Sequence, residues 1–407
     1  MKRDRIDLDH NALSPPCPEA IAAARAWLDR GPHGNPSSAH REGQRARSTL
    51  EWARAAVAAG CGVDAERVVF TSGATEADRL GILGAAEAIG ARGTVAWLAI
   101  DHPALVQTAE ALVARGWSAL PLPVDDGGRL DVLAATAALD AAAGPCVVAI
   151  AAVHHELGTI QPLAPLFAHP NVTHLHVDAA QAPGRLALAE VAASAHTLAL
   201  AAQKCGGFAG TGALIVGAGV RLRATQPGRQ ERGLRGGTEN LLGAVAFAAA
   251  MAALPARAAE HAALRARRDA IAAAIRGSCP EAVRRGPLEP AHETGHVLSV
   301  TLPDAEAEAW VAALDVEGVA VSAGAACSSG TQDPSPAITA LHGAHAARHT
   351  LRLSLGPAID DDAVAQVAAA FARVAERMRA LRGFAPAAGS ATLPPSARHD
   401  AGGMIER

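Results

Sequence analysis

Short apolar runs, several rich in Val and Ile, recur at 68–70, 95–100, 147–153, 173–177, 197–201 and 212–216. Between them lie longer stretches of Ala, Leu and Arg in which apolar positions return with helical spacing. Strands alternating with helices predict an α/β unit around a mostly parallel sheet. Runs that are apolar throughout, rather than at every second position, predict strands covered on both faces. From about residue 241 a long helical stretch leads into a second, smaller α+β unit, with strands expected at 297–302, 319–322 and 351–355 and helices between and after them. The stretch from 383 onward is Ala, Pro, Gly and Ser without periodicity and predicts a flexible tail. The resulting division is an N-terminal segment, 1–20, packing with the small unit; a large unit, 21–250; a small unit, 251–382; and the tail, 383–407. No repeat of fixed period is visible.

Composition narrows the class. Half of the 407 residues are apolar, enough for a compact protein of two or three structural units. The formal charge of -4, scattered Arg, 3% aromatics and no Tyr offer no basic surface, so a nucleic-acid partner is not expected. The charged start, Met-Lys-Arg-Asp-Arg, lacks an apolar signal region, and the longest apolar run, 241–256, is mostly Ala and contains Pro255. No membrane span and a cytoplasmic location are expected. The six cysteines are dispersed without C-x-x-C or metal-ligand spacing, which suits a reduced compartment, predicts no metal site and leaves each as a lone thiol.

Five places carry candidate chemistry. Only two of the 36 basic residues are lysines, Lys2 and Lys204, and Lys204 is internal. An amine can lose its proton and form a Schiff base where a guanidinium cannot, although an exposed lysine at a strand end would look the same. Phe-Thr-Ser-Gly-Ala74-Thr75-Glu joins a strand to a helix through small residues, as an anion-binding turn or as an ordinary helix cap. Asp178 ends a predicted central strand, where α/β sheets bind ligands; it is either a carboxylate for a pyridoxal ring nitrogen or a helix cap. Cys327 lies among small residues after a strand, which favours a nucleophile over a packing thiol, while Cys61, Cys146 and Cys279 read as structural and Cys205 as either. Arg352, inside an apolar strand, needs a partner: a bidentate substrate carboxylate or a buried acid.

These segments, with Gly-Asn35-Pro-Ser-Ser-Ala-His, His155-Glu-Leu-Gly-Thr, His-Val-Asp178-Ala-Ala-Gln181, Glu-Arg-Gly-Leu-Arg-Gly-Gly-Thr238-Glu-Asn, Ser-Ala-Gly-Ala-Ala-Cys327-Ser-Ser-Gly and Leu-Arg352-Leu-Ser-Leu-Gly, occur in this order from Ile6 to about Arg382. Together they resemble the cysteine desulfurases, pyridoxal phosphate enzymes of fold type I and aminotransferase class V, in the group with a long catalytic-cysteine loop that supplies sulfur for iron-sulfur clusters. The resemblance implies conversion of L-cysteine to L-alanine with sulfur passing to Cys327 as a persulfide, and then to an acceptor or scaffold protein. It implies Lys204 as the Schiff-base lysine, Asp178 at the ring nitrogen, Gln181 at the ring oxygen and His102 stacked on the ring, where a helix cap is the alternative. It also implies phosphate contacts from Ala74 and Thr75, with Thr238 reaching the phosphate from the other subunit of a homodimer, and a substrate site that includes Arg352 and Asn35.

The pocket departs from the family pattern at three places. Ala201 and Gln203 stand where Ser and His are usual before the lysine, His154-His155-Glu156 stands for Asn-Asn-Glu and so replaces an amide near the ring, and Asn11-Ala12-Leu13-Ser14-Pro15 stands for an Asn-Ala-Thr-Thr-Pro type sequence. A related lyase of selenocysteine-lyase type, or a non-catalytic dimeric paralogue, would share much of the same sequence.

Overall fold

The structure is a computed structural model that describes residues 5–31, 33–324 and 334–382. Cys327 and the tail from 383 lie outside the described residues. The strands are β1 (Ile6–Asp7), β2 (Val68–Thr71), β3 (Thr94–Trp97), β4 (Ser118–Pro121), β5 (Cys146–Ala151), β6 (Val172–Asp178), β7 (Thr197–Ala201), β8 (Gly212–Val216), β9 (Val283–Arg285), β10 (Val297–Thr301), β11 (Val319–Ala320) and β12 (Thr350–Ser354).

Seven strands form one sheet in the order β2-β8-β7-β6-β5-β3-β4, and β8 alone runs against the others. The expected α/β unit with a mostly parallel sheet is therefore present. Every residue of β5 and β7 is buried, because helices cover both faces of the sheet. The helix Ala74–Ile89 lies close on one face, with Gly81 at the contact: a Cβ there would fall 2.2 Å from His176 Nδ1 on β6. On the other side, the helices Arg41–Gly60 and Pro18–Asp29 pack against Leu241–Ala253, whose Phe247 is fully buried.

The smaller unit is an antiparallel sheet, β12-β10-β9, packed with the helices Ala258–Ser278 and Asp361–Arg382 around Trp310, Phe371, Ile271 and Leu353. Leu8 is buried in this same core, and β1 pairs in parallel with β11. The chain then crosses to the large sheet, where Ser14 N donates to Gln203 O at 3.0 Å. Residues 6–14 thus form a strap joining the two cores.

Strands β1, β4 and β9 were not expected. They are two to four residues long and lie at sheet edges; β4 is largely exposed and β9 partly so, and their sequences carry no apolar run. Among the described residues, no single helix is long and apolar enough to cross a membrane.

Candidate active site

The C-terminal ends of β5, β6 and β7 and the turn after β2 surround a cavity of about 350 Å³. Ligands in open α/β sheets bind at such an edge. Of the residues predicted from sequence, Ala74, Thr75, His102, His155, Asp178, Gln181, Gln203, Lys204 and Arg352 line this cavity. Asn35 and Thr238 do not line it within one protomer. Asn35 Oδ1 accepts from Ser37 N at 2.8 Å in its own turn, and Thr238 is solvent-exposed.

Lys204 closes a short 3-10 turn directly after β7. Its half-buried Nζ donates to the carbonyl oxygens of Asn11 and Ala12, the latter at 2.6 Å. The strap therefore holds the amine in place. Asn11, which the sequence reading did not single out, is buried and tied on all sides. Its backbone N donates to Ser354 Oγ at 2.9 Å, its Nδ2 donates to His155 O at 2.9 Å, and its Oδ1 lies 3.0 Å from His296 Nε2.

Asp178 ends β6 and is almost fully buried, with Oδ1 accepting from Ala180 N at 2.8 Å. Burial raises its pKa, opposed by that amide and by His102 and Lys204. Two further buried acids stand near it. Asp101 accepts from Ala151 N at 3.1 Å, and burial pushes its pKa up to about 8. Asp78 lies 3.0 Å from His176 Nε2, and burial, then the charges of Asp178 and Asp101, raise its pKa well above the usual range. Burial also holds His176 down at about 3. The two side chains are fully buried against each other, and the imidazole's Nδ1 lies 2.9 Å from Thr197 Oγ1. Asp78 and Asp101 come from segments far from Asp178 in the chain, and only the sheet order brings the three together.

His102 Nδ1 accepts from Ala104 N at 3.1 Å, so it caps the helix Pro103–Val113, and its ring meets His155 edge-on at 5.3 Å. Burial lowers the His155 pKa to about 3, leaving a neutral ring at the cavity wall. Gln181 Oε1 accepts from Arg185 Nη1 at 3.1 Å, while Gln203 Oε1 is buried without a hydrogen-bond partner. Arg352 has the acid partner of the two alternatives, Nη2 donating to Asp9 Oδ1 at 2.7 Å, while its buried Nε has no hydrogen-bond partner.

The helix Ala74–Ile89 begins at Gly73 without a side-chain cap, leaving backbone N–H groups at the cavity, as a phosphate site requires. An uncapped helix start, an amine and a buried carboxylate within one cavity fit pyridoxal phosphate.

The aminotransferase class-V family model matches residues 6–367. The chain belongs to that family. The cysteine desulfurase of Cereibacter sphaeroides is 34% identical over 387 residues, covering 94% of this chain and 98% of the relative. The putative cysteine desulfurase IscS 1 of Bacillus subtilis is 33% identical over 87% of this chain and 94% of its own length. A solved NifS-like protein superposes with a TM-score of 0.81 at 25% identity, over 94% of this chain and all of that one. This class-V chain is thus an enzyme of the cysteine desulfurase type with a fold-type-I architecture, and enzymes of this type use pyridoxal phosphate.

Proposed function

We propose that this enzyme converts L-cysteine to L-alanine, passing the sulfur to Cys327 as a persulfide for delivery to an acceptor protein. The observation that carries the reading is the convergence of Lys204, Asp178 and Arg352 on one cavity. The uncapped turn at Ala74 and Thr75 would hold the cofactor phosphate, joined by Gln203 and by Thr238 of a second copy. Asp178 would face the ring nitrogen, with Gln181, His102 and His155 around the ring. When bound, pyridoxal phosphate supplies an electron sink for charge developing at the substrate α-carbon.

The chain's own groups do the rest. Arg352 takes the substrate carboxylate on the guanidinium edge that Asp9 leaves unpaired. Lys204 Nζ would anchor the cofactor, and the same amine would move a proton from the substrate α-carbon. The Cys327 thiolate attacks the substrate sulfur; the new S–S bond forms as the bond from sulfur to the β-carbon breaks, and the three-carbon product is reprotonated to alanine. An external thiol then removes the sulfane sulfur by exchange.

The test is a paired assay of sulfide and alanine from L-cysteine and a thiol reductant, with and without added cofactor. Wild type should yield the two products in equal amounts. Lys204→Ala should yield neither, and borohydride reduction of wild type should leave the cofactor on Lys204. Cys327→Ser should keep the cofactor but release no sulfide above the free-cofactor background. Cofactor on Lys2, or full sulfide release from Cys327→Ser, overturns the assignment.

A further inference from the structure

A second cavity, of about 310 Å³, shares Lys204 with the first and opens between the strap, the helix Ala258–Ser278 and the turn after β12. Its wall is largely apolar, built from Pro15, Pro16, Cys17, Leu254 and Pro357. Into this wall is set the guanidinium of Arg185. Arg185 Nη1 donates to Gln181 O and Oε1, both at 3.1 Å, whereas its buried Nε has no hydrogen-bond partner. Arg185 forms no ion pair with a carboxylate among the described residues. The one carboxylate on the cavity wall, Glu260, is exposed at the rim near Arg257. Burial lowers the Arg185 pKa to about 10, and the only group opposing this is the thiol of Cys205. That thiol is no counter-ion, because burial pushes its own pKa up to about 12.

Two imidazoles complete the arrangement. His10 and His261 line the same cavity, and the Nδ1 of each is buried without a partner. Burial lowers both pKa values, that of His261 to about 4; Arg185 lowers both further, while the charges of Asp7 and Asp9 oppose the shift at His10. The cavity therefore presents one partly buried guanidinium without a carboxylate partner, beside Lys204 and Arg257 on the same wall, and two neutral rings with unused hydrogen-bonding capacity. Buried charges are normally paired, and an unpaired one is a standing cost that an entering anion would remove.

We propose that this second cavity is a binding site for a small anion, held by Arg185 and hydrogen-bonded by His10 and His261. The guanidinium edge suits either an inorganic oxyanion or a carboxylate, and the apolar wall leaves room for a short aliphatic body on the latter. None of the three ligands lines the first cavity, although Arg185 also holds Gln181, which does, and the two cavities share Lys204.

The test is thermal unfolding of the holoenzyme in low-salt buffer, titrated with sodium sulfate in one arm and sodium butyrate in the other. Wild type and Arg185→Leu are compared at equal cofactor content. A ligand that binds only the folded state raises the melting temperature along a saturation curve. Wild type should show a saturable rise with at least one of the two salts, and the responding arm identifies an oxyanion or a carboxylate. Arg185→Leu should keep only the non-saturating salt effect. Identical titrations of the two proteins overturn the proposal, as does a wild type that shows no saturable rise in either arm. If Arg185→Leu does not fold, His261→Phe replaces it: a midpoint concentration at least threefold higher supports the site, and an unchanged midpoint overturns it.

Discussion

Asp78, Asp101 and Asp178 are buried around the end of β6, where like charges repel strongly and not all of them can ionise together. Asp178 keeps the partners that favour its charge, namely Ala180 N, His102 and Lys204, and the other two hold protons. For Asp101 this has a definite sign. Its pKa rises from 3.8 in the open chain to about 8 on folding, so the folded state holds the proton more tightly. The contribution to stability is complete below the lower value, declines as pH rises between the two, and is gone above the upper one. Urea midpoints at pH 5.5, 7 and 8.5 should therefore fall more for wild type than for Asp101→Asn, and equal falls would contradict the assignment. A second expectation at this scale concerns Ala201 and Gln203, which line the cavity while Gln203 Oε1 lacks a partner. A hydrogen bond to a charged group contributes roughly 1.5 to 3 kcal/mol. Ala201→Ser with Gln203→His should then tighten cofactor binding by about tenfold or more in a titration of stripped protein, each ~1.4 kcal/mol being a factor of ten. Lys204 and Arg352 were legible one at a time, because a lone lysine and an arginine in an apolar strand are unusual in themselves. Asp78, Asp101 and Asn11 were not, because nothing local in their segments shows which groups the fold sets beside them.

At the scale of elements, β2 is an edge strand that leads straight into the turn at Thr71–Thr75, yet its outer edge is not open. Glu231 Oε2 accepts from Phe70 N at 2.8 Å, and Arg54 Nη1 donates to Val68 O at 2.8 Å. The two side chains also pair with each other at 2.6 and 2.8 Å, almost fully buried. An ion pair thus takes the place of a neighbouring strand. Glu231 and Arg232 adopt left-handed backbone, at φ 46° and 57°, to reach this position. Truncating Glu231 leaves the buried Arg54 with only the exposed Glu51, 3.1 Å from its Nε, as a charge partner, at a cost of up to about 3 to 5 kcal/mol. Glu231→Ala should lower the urea midpoint accordingly. Because β2 positions the uncapped helix start, the same variant should also hold cofactor less tightly; a loss of stability with unchanged cofactor affinity would confine Glu231 to a structural role. The strands flanking this site were legible because β5, β7 and β8 are nearly continuous apolar runs, as burial on both faces selects, whereas β6, Val-Thr-His-Leu-His-Val-Asp, interleaves polar residues, most of which the fold buries. The edge cap was not, since Arg54 and Glu231 lie 177 residues apart and each reads as a surface charge.

For the whole molecule, two features point outward from the protomer. The turn after Gly236 and Gly237 carries Thr238 exposed to solvent rather than into its own cavity. The helices Pro18–Asp29 and Arg41–Gly60 expose Leu28 at 52% and Trp52 at 53%, with Trp27 and Val245 beside Trp52 in a shallow depression. Large side chains clustered at a surface mark an interface more often than isolated ones do. A second copy of the chain covering this face agrees with a cavity to which the protomer does not bring Thr238. Trp52→Glu places a charge in the middle of the patch, where burial without a partner is unfavourable. Light scattering should then show a monomer or a concentration-dependent dimer, and the variant should lose cofactor faster on dialysis than wild type. Thr238→Ala separates the two effects, because it should weaken cofactor retention while leaving the dimer intact. A Trp52→Glu monomer that retains cofactor like wild type would show that the phosphate is held within one chain; an unchanged dimer would place the interface on another face.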